Sequence, residues 1–349
     1  MHTLDSPETY SSLDSTGLRE RLRGLPQWCE MAWRQGKAFS LPQDWNRSNK
    51  VVIAGMGGSA IAGDLVADLA SSQGTIPIWV VRDFHLPFAL DQHSLVIVCS
   101  YSGNTVETLS MFHQGIKAGA RVMAVAGGGR LAEEAEVQRI PHLRVPIPGE
   151  PRSAVGYTLL LLLGCLHRLG LVEVTEDDVQ AATEDTQQQV LQLGEERPTQ
   201  GNPAKQLALE LKDRLILIYG GGLFSGMARR WKTQFNENAK VWAFFETIPE
   251  LLHNSIEAYA ASADIAARLM VLLLQPNIGA NRLRDRYRVV AQLLQQTGVS
   301  YRVLETAASR PLGQLLSMLL LGDYVSYYLA LLNGVDPAET PAISWSKNA

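Results

Sequence analysis

The chain has 349 residues, 46% of them hydrophobic and 19% charged, with a formal net charge of −4 at pH 7. That is chain enough for two domains of ordinary size and a globular composition, and the balance of charge gives no ground for a nucleic-acid partner. The three cysteines, Cys29, Cys99 and Cys165, are scattered and lack C-x-x-C spacing, so neither a disulfide framework nor a zinc site is indicated.

Residues 1–10 are polar and carry two acids, unlike a signal peptide. In residues 12–45, Leu13, Leu18, Leu22, Leu25, Trp28 and Trp33 recur at mostly helical spacing ahead of Pro42, which predicts one or two packing helices. Apolar strands are expected at 51–55, 76–81, 94–100, 121–126 and 142–147, with helices at 59–70 and 104–118 among them. This alternation predicts a parallel sheet covered on both faces. Helices at 154–169 and 176–195 follow, and then a charged linker at 195–203 with two prolines and a glycine.

The second half starts the same way, with a helix at 204–212, a strand at 215–219, the turn Gly220-Gly221-Gly222 and a helix at 223–235. Later strands fall near 240–245, 269–274 and 300–304, and helices at 283–296 and 311–332. The chain therefore reads as an N-terminal helical segment (1–46) and two similar α/β domains (47–197 and 204–349). The longest apolar runs, 157–166 and 315–321, are broken by His167 and Arg168 and by Asp323. Both are too short to span a bilayer and read as buried helices. The leucines and tyrosines of 315–332 suit a subunit interface and an ordinary core helix equally. A reduced, cytoplasmic protein without membrane contact is expected.

Two strand ends carry chemistry. The strand at 94–100 runs into Ser100-Tyr101-Ser102-Gly103-Asn104-Thr105 and then a helix. Hydroxyls, a glycine that admits close backbone approach and the free N–H groups of a new helix together suit an anion such as phosphate. Serine and threonine are also ordinary helix caps, so a plain strand-to-helix turn is the competing reading. The strand at 51–55 runs into Met56-Gly57-Gly58-Ser59-Ala60. Its glycines do not follow G-x-G-x-x-G, and no Gly-Lys-Ser/Thr follows, so neither a dinucleotide fingerprint nor a P-loop is present. Two glycine/hydroxyl turns at the ends of parallel strands point instead to a sugar phosphate.

Other residues read two ways. Glu237, between Asn236 and Asn238, is either an oriented carboxylate or a solvated helix end. His253 is either a proton shuttle or a structural histidine. Arg152, just before a helix, either meets an anion or pairs with Glu150. Lys347, near the C-terminus, has on physics alone no claim to a role.

Taken together, AGMGGSA (54–60), SYSGNT (100–105), EPRS (150–153), NENAK (236–240), PELLHNSIEA (249–258) and GVDP (334–337) before a C-terminal lysine resemble the bifunctional phosphoglucose/phosphomannose isomerase family. The resemblance runs from about residue 20 to the end. SYSGNT marks sugar-isomerase (SIS) domains broadly, and NEN followed by PEL-x-HN is far more specific. It implies two SIS domains, each a parallel sheet flanked by helices in three α/β/α layers.

It also implies an aldose–ketose isomerase working through a cis-enediol(ate). Gly57, Gly58 and Ser59 would line the sugar, and Ser100, Ser102 and Thr105 would cradle the phosphate. Arg152 would stabilise the intermediate, Glu237 would be the base, and His253 and Lys347 would open the ring. Thr340 corresponds to a substrate-contacting threonine. No metal and no cofactor is implied. A C2 homodimer is, with His253 supplied across the interface. Leu252 and Ser255 depart from the PELNHNE that members often carry, and the segment around Lys347 lacks the usual charged helix. Two alternatives stand beside this reading: an isomerase of another phosphosugar, and a non-catalytic SIS regulator, which would not need Glu237, His253 or a terminal base.

Overall fold

The computed structural model describes residues 3–87, 89–260, 263–278 and 281–348. The chain divides into two compact units, one of Leu25–Gln180 and one of Met1–Gly24 with Ala181–Ala349. The short helices α1 (Pro7–Leu13) and α2 (Leu18–Arg23) thus belong with the C-terminal unit, while the helix after them, α3 (Leu25–Ala38), belongs to the first.

The unit of Leu25–Gln180 continues as β1 (Lys50–Gly55), α4 (Gly57–Gln73), β2 (Ile78–Val81), β3 (Ser94–Ser100), α5 (Val106–Lys117), β4 (Arg121–Ala126), α6 (Gly129–Val137), β5 (His142–Arg144) and α7 (Val155–Arg168). Its five strands are all parallel in the order β2-β1-β3-β4-β5. β3 is buried at every position, as a parallel strand covered on both faces must be. Side chains alternate across the sheet. Val52, Ala54, Val96 and Val98 meet Leu109 and Phe112 of α5 and Leu131 and Ala135 of α6. Ile53 faces α4, where Gly63 allows close approach. α7 packs on α4, and α3 on α7.

The division between the units falls inside α8 (Glu176–Leu193). The second unit then runs α9 (Pro203–Leu211), β6 (Leu215–Gly220), α10 (Ser225–Glu237), β7 (Ala243–Thr247), α11 (Ala263–Ala266), β8 (Leu269–Leu274), α12 (Asn281–Thr297), β9 (Ser300–Leu304), α13 (Pro311–Leu332) and α14 (Pro341–Asn348). Its four strands are parallel in the order β7-β6-β8-β9. Tyr219, Val271 and Leu273 meet Tyr287, Val290 and Leu294 of α12 on one face. α10 packs on β6 and β7, and α13 packs on α10 and α9. The expected α/β class, with two parallel sheets flanked by helices, is what the chain forms.

By length and composition α13 is a helix that could cross a membrane, yet most of it is buried inside the chain. It is a core helix of its own unit, packed on α9, α10, α1 and α2. It extends beyond the run at 315–321 because Asp323 does not end it. The carboxylate is buried and hydrogen-bonded rather than solvated. All three cysteines are buried and free. Burial pushes the thiols of Cys99 and Cys165 up to about 12, so neither is a thiolate at neutral pH.

Candidate active site

In the unit of Leu25–Gln180 the chain leaves β1 toward β2 and leaves β3 toward β4, in opposite directions along the sheet. The loops after these adjacent strands therefore part, and the crevice outside their carboxyl ends is where ligands bind in open parallel sheets. Both glycine/hydroxyl turns of the sequence open into it. Register places Gly55 beside Cys99, so the two turns start level.

The turns are tied together. The Tyr101 backbone N–H donates to Ser59 Oγ at 3.1 Å. Ser100 Oγ donates to Thr105 Oγ1 at 3.2 Å, and the Asn104 N–H donates to Ser102 Oγ at 3.3 Å. Thr105 is the N-cap of α5 but its hydroxyl makes no capping bond, which leaves the helix's first N–H groups facing outward. Ser59, Ser100, Tyr101, Pro151 and Thr158 line one small hollow.

A third element, the turn that bears Arg152, packs beside the same place. Arg152 sits in a 3-10 turn, Pro151–Ala154, at the head of α7, and is only 3% exposed. A Cβ at Gly58 would stand 3.0–3.1 Å from the backbone of Pro151 and Arg152. Glycine at 58 therefore seats the Arg152 turn, a task beyond the sugar-lining one inferred from sequence. Gly57, Gly58, Ser59, Ser100, Ser102, Thr105 and Arg152 are thus brought together by one unit.

Sequence reasoning missed a fourth element. Gly127-Gly128-Gly129, after β4, packs onto the SYSGNT loop. The Gly127 N–H donates to the Tyr101 carbonyl and the Leu131 N–H to the Gly103 carbonyl, both at 2.9 Å. Gly103 has φ +69°, and a Cβ there would stand 1.8 Å from the Gly128 oxygen, so only glycine fits. The signal was a third glycine turn after an apolar strand, and the helix α6 that follows it was missed with it.

The other candidates lie in the second unit, where Glu237 and His253 do not come together. α10 starts beyond the carboxyl end of β6 and runs back past the sheet, so Glu237, its last residue, lies at the strands' amino edge. There the Val241 N–H bonds the Phe235 carbonyl and the Ile216 N–H bonds the Trp242 carbonyl. His253 follows the carboxyl end of β7, exposed at the close of a 3-10 turn, Glu250–His253, that begins after Ile248 bonds Gly220. A five-residue strand, about 17 Å long, separates the two edges. Glu237 and His253 of one chain therefore stand at opposite edges of their sheet.

Thr340 is partly exposed just before α14, and Lys347 is exposed in that helix's last turn. The absence of a charged helix around Lys347 does not mean the absence of a helix. α14 forms with Pro341 in its first turn, a position where proline's missing N–H costs nothing. Among the described residues no group of three His, Cys, Asp or Glu side chains is placed to hold a metal ion.

A family model described as the bacterial phospho-glucose isomerase C-terminal SIS domain matches residues 200–349. The bifunctional phosphoglucose/phosphomannose isomerase of Caldicellulosiruptor bescii is 34% identical over 330 residues, covering 94% of this chain and 97% of that protein. The protein of the same name from Thermoplasma acidophilum is 33% identical over 295 residues, covering 84% and 87%. Among solved structures, tagatose-6-phosphate ketose/aldose isomerase from Escherichia coli shares the fold with a TM-score of 0.72, at 15% identity over 97% of both chains. With relatives at this identity over most of both chains, the chain belongs to the bifunctional phosphoglucose/phosphomannose isomerase family and is a sugar-phosphate isomerase.

Proposed function

We propose that the enzyme interconverts glucose 6-phosphate and mannose 6-phosphate with fructose 6-phosphate through a cis-enediol(ate). The observation that carries this reading is the convergence of three hydroxyls and a helix N-terminus on one switch-point crevice, with the turn that bears Arg152 packed against Gly58 beside it. Ser100, Ser102, Thr105 and the first N–H groups of α5 hold the phosphate, and Gly57, Gly58 and Ser59 meet the sugar. Anchoring the phosphate away from the reacting carbons restricts the open chain.

Glu237 takes the C2 proton of the aldose and returns it to C1, and the hydroxyl protons redistribute between O1 and O2. Negative charge develops on the enediol oxygens, where the fixed guanidinium of Arg152 stabilises it without reorganising. His253 and Lys347 act as the acid–base pair that opens the ring, and Thr340 contacts substrate. Rotation about C2–C3 after ring opening presents either epimer's proton to one base. No cofactor and no metal enters this chemistry.

The enzyme acts as a C2 homodimer in which His253 serves the partner's site. The placement of Glu237 and His253 at opposite sheet edges supports this, because one chain does not pair them. The setting is cytoplasmic, with no nucleic-acid or membrane partner.

Turnover of fructose 6-phosphate in D2O tests the route. The enediol path carries solvent deuterium into C2 of the aldose phosphates. Because one carboxylate carries the proton both ways, part of it returns unexchanged in each turnover, so the label is read after many turnovers at equilibrium; a complete absence of deuterium at that point would mean a hydride shift and would remove Glu237 from its role.

A further inference from the structure

α13 buries nineteen of its residues, four of them polar, and one of the four, Asp323, stands charged in its middle, 4% exposed. Asp323 Oδ1 accepts from Arg230 Nη2 at 2.8 Å and from Gln234 Nε2 at 2.7 Å. Both donors are on α10, one turn apart, and both are buried. The next turn continues the pattern. Asn238 Nδ2 donates to Ser326 Oγ at 3.0 Å, and Ser326 Oγ donates to the Asp323 carbonyl at 3.0 Å. Beside this row Trp231 Nε1 donates to the Met318 carbonyl at 3.0 Å, its ring lying where a Cβ at Gly322 would be. Beyond it Asn333 Nδ2 holds the Ala239 carbonyl at 3.1 Å.

An ion pair in such a place is a poor way to gain stability. Taking both charges out of water costs much of what their attraction returns, and apolar replacements of similar volume are often as stable or more so. What directional bonds supply, and apolar packing does not, is a fixed angle of rotation. Residues 230, 234 and 238 lie four apart, so their bonds to α13 fix α10 about its own axis and along it. Glu237 lies between Gln234 and Asn238, and its direction follows that angle.

We propose that Asp323, with Ser326, is a positioning residue for Glu237: it clamps the rotation of α10 so that the carboxylate is held in its reacting geometry. This rests on Glu237 being the base, as proposed above. Misplacement of a reacting group by about 1 Å is enough to cost about a hundredfold in rate.

The test compares the triple variant Arg230→Met, Gln234→Leu, Asp323→Leu with Ser326→Ala and Glu237→Gln in the full chain. The triple variant is expected to keep its melting temperature, to lose about tenfold or more in kcat and to change KM less than about threefold. Ser326→Ala, which folds regardless of the buried charges, is expected to lose about threefold or more in kcat at unchanged KM. A triple variant that folds with wild-type kcat, or a Ser326→Ala variant with wild-type kcat should the triple variant not fold, overturns the clamp. A loss shared equally by melting temperature, KM and kcat marks a structural role only and also overturns it. Should Glu237→Gln turn over normally, the base assignment itself falls, and that result is separate from either of the others.

Discussion

Replacing Glu237 by glutamine is expected to lower kcat by at least about 10³-fold while leaving fructose 6-phosphate binding within about threefold of the wild type. Glutamine keeps the shape of the side chain and loses only its ability to take a proton. Glu237 is half-buried at the end of α10, so the change removes no core volume, and the melting temperature should hold. Binding should survive because the phosphate is assigned to Ser100, Ser102 and Thr105, on another element altogether. Solvent deuterium should cease to enter the substrate. Turnover of Glu237→Gln at the wild-type rate, measured under saturating substrate, would take the base away from this residue.

Replacing Arg152 by methionine is expected to cost about 10²–10³-fold in kcat, or about 3 kcal/mol of transition-state stabilisation. Methionine approximates the length of the arginine stem, and with Gly58 unchanged the 3-10 turn Pro151–Ala154 remains seated. The loss should fall on kcat more than KM, since in the proposed route the charge assigned to Arg152 forms on the enediol oxygens during reaction. Arg152→Lys should recover only part of it, because a point charge does not reproduce the planar fork of guanidinium. Methionine at 152 with normal kcat and KM would assign the arginine to structure, and a raised KM with normal kcat would assign it to substrate binding.

The parallel strands were legible because burial on both faces writes itself as an unbroken apolar run. Residues 94–100, 121–126 and 269–274 form β3, β4 and β8 with those limits, and 300–304 forms the edge strand β9, which is mostly exposed. β7 was placed near 240–245 and forms at Ala243–Thr247. The run Val241–Phe245 is apolar throughout, and only pairing with β6, Ile216 to Ala243 through Gly220 to Thr247, decides where it begins. Such register is not local information. α6 was hidden by three glycines in succession, which read as loop although they open a helix. The 3-10 turns from Glu250 to Ala260 have no periodicity to detect, and they carry His253.

Of the candidate site, the residue types were legible and their grouping was not. Ser59, Ser100 and Arg152 each suit an anion by residue type, and each also suits an ordinary cap or ion pair. That Gly58 makes room for Arg152, and that Gly103 makes room for Gly128, depends on contacts between segments far apart in sequence. The opposite placement of Glu237 and His253 follows from the direction of α10 relative to a parallel sheet, and thus from topology. Asp323 appeared in the sequence only as the break in an apolar run, because its partners Arg230 and Gln234 lie some ninety positions away.

The most direct test is a coupled assay of the purified chain on fructose 6-phosphate, without added metal, following glucose 6-phosphate and mannose 6-phosphate separately. The proposed function requires that both form. A chain that binds fructose 6-phosphate and yields neither, or that yields one alone, would contradict the dual isomerase.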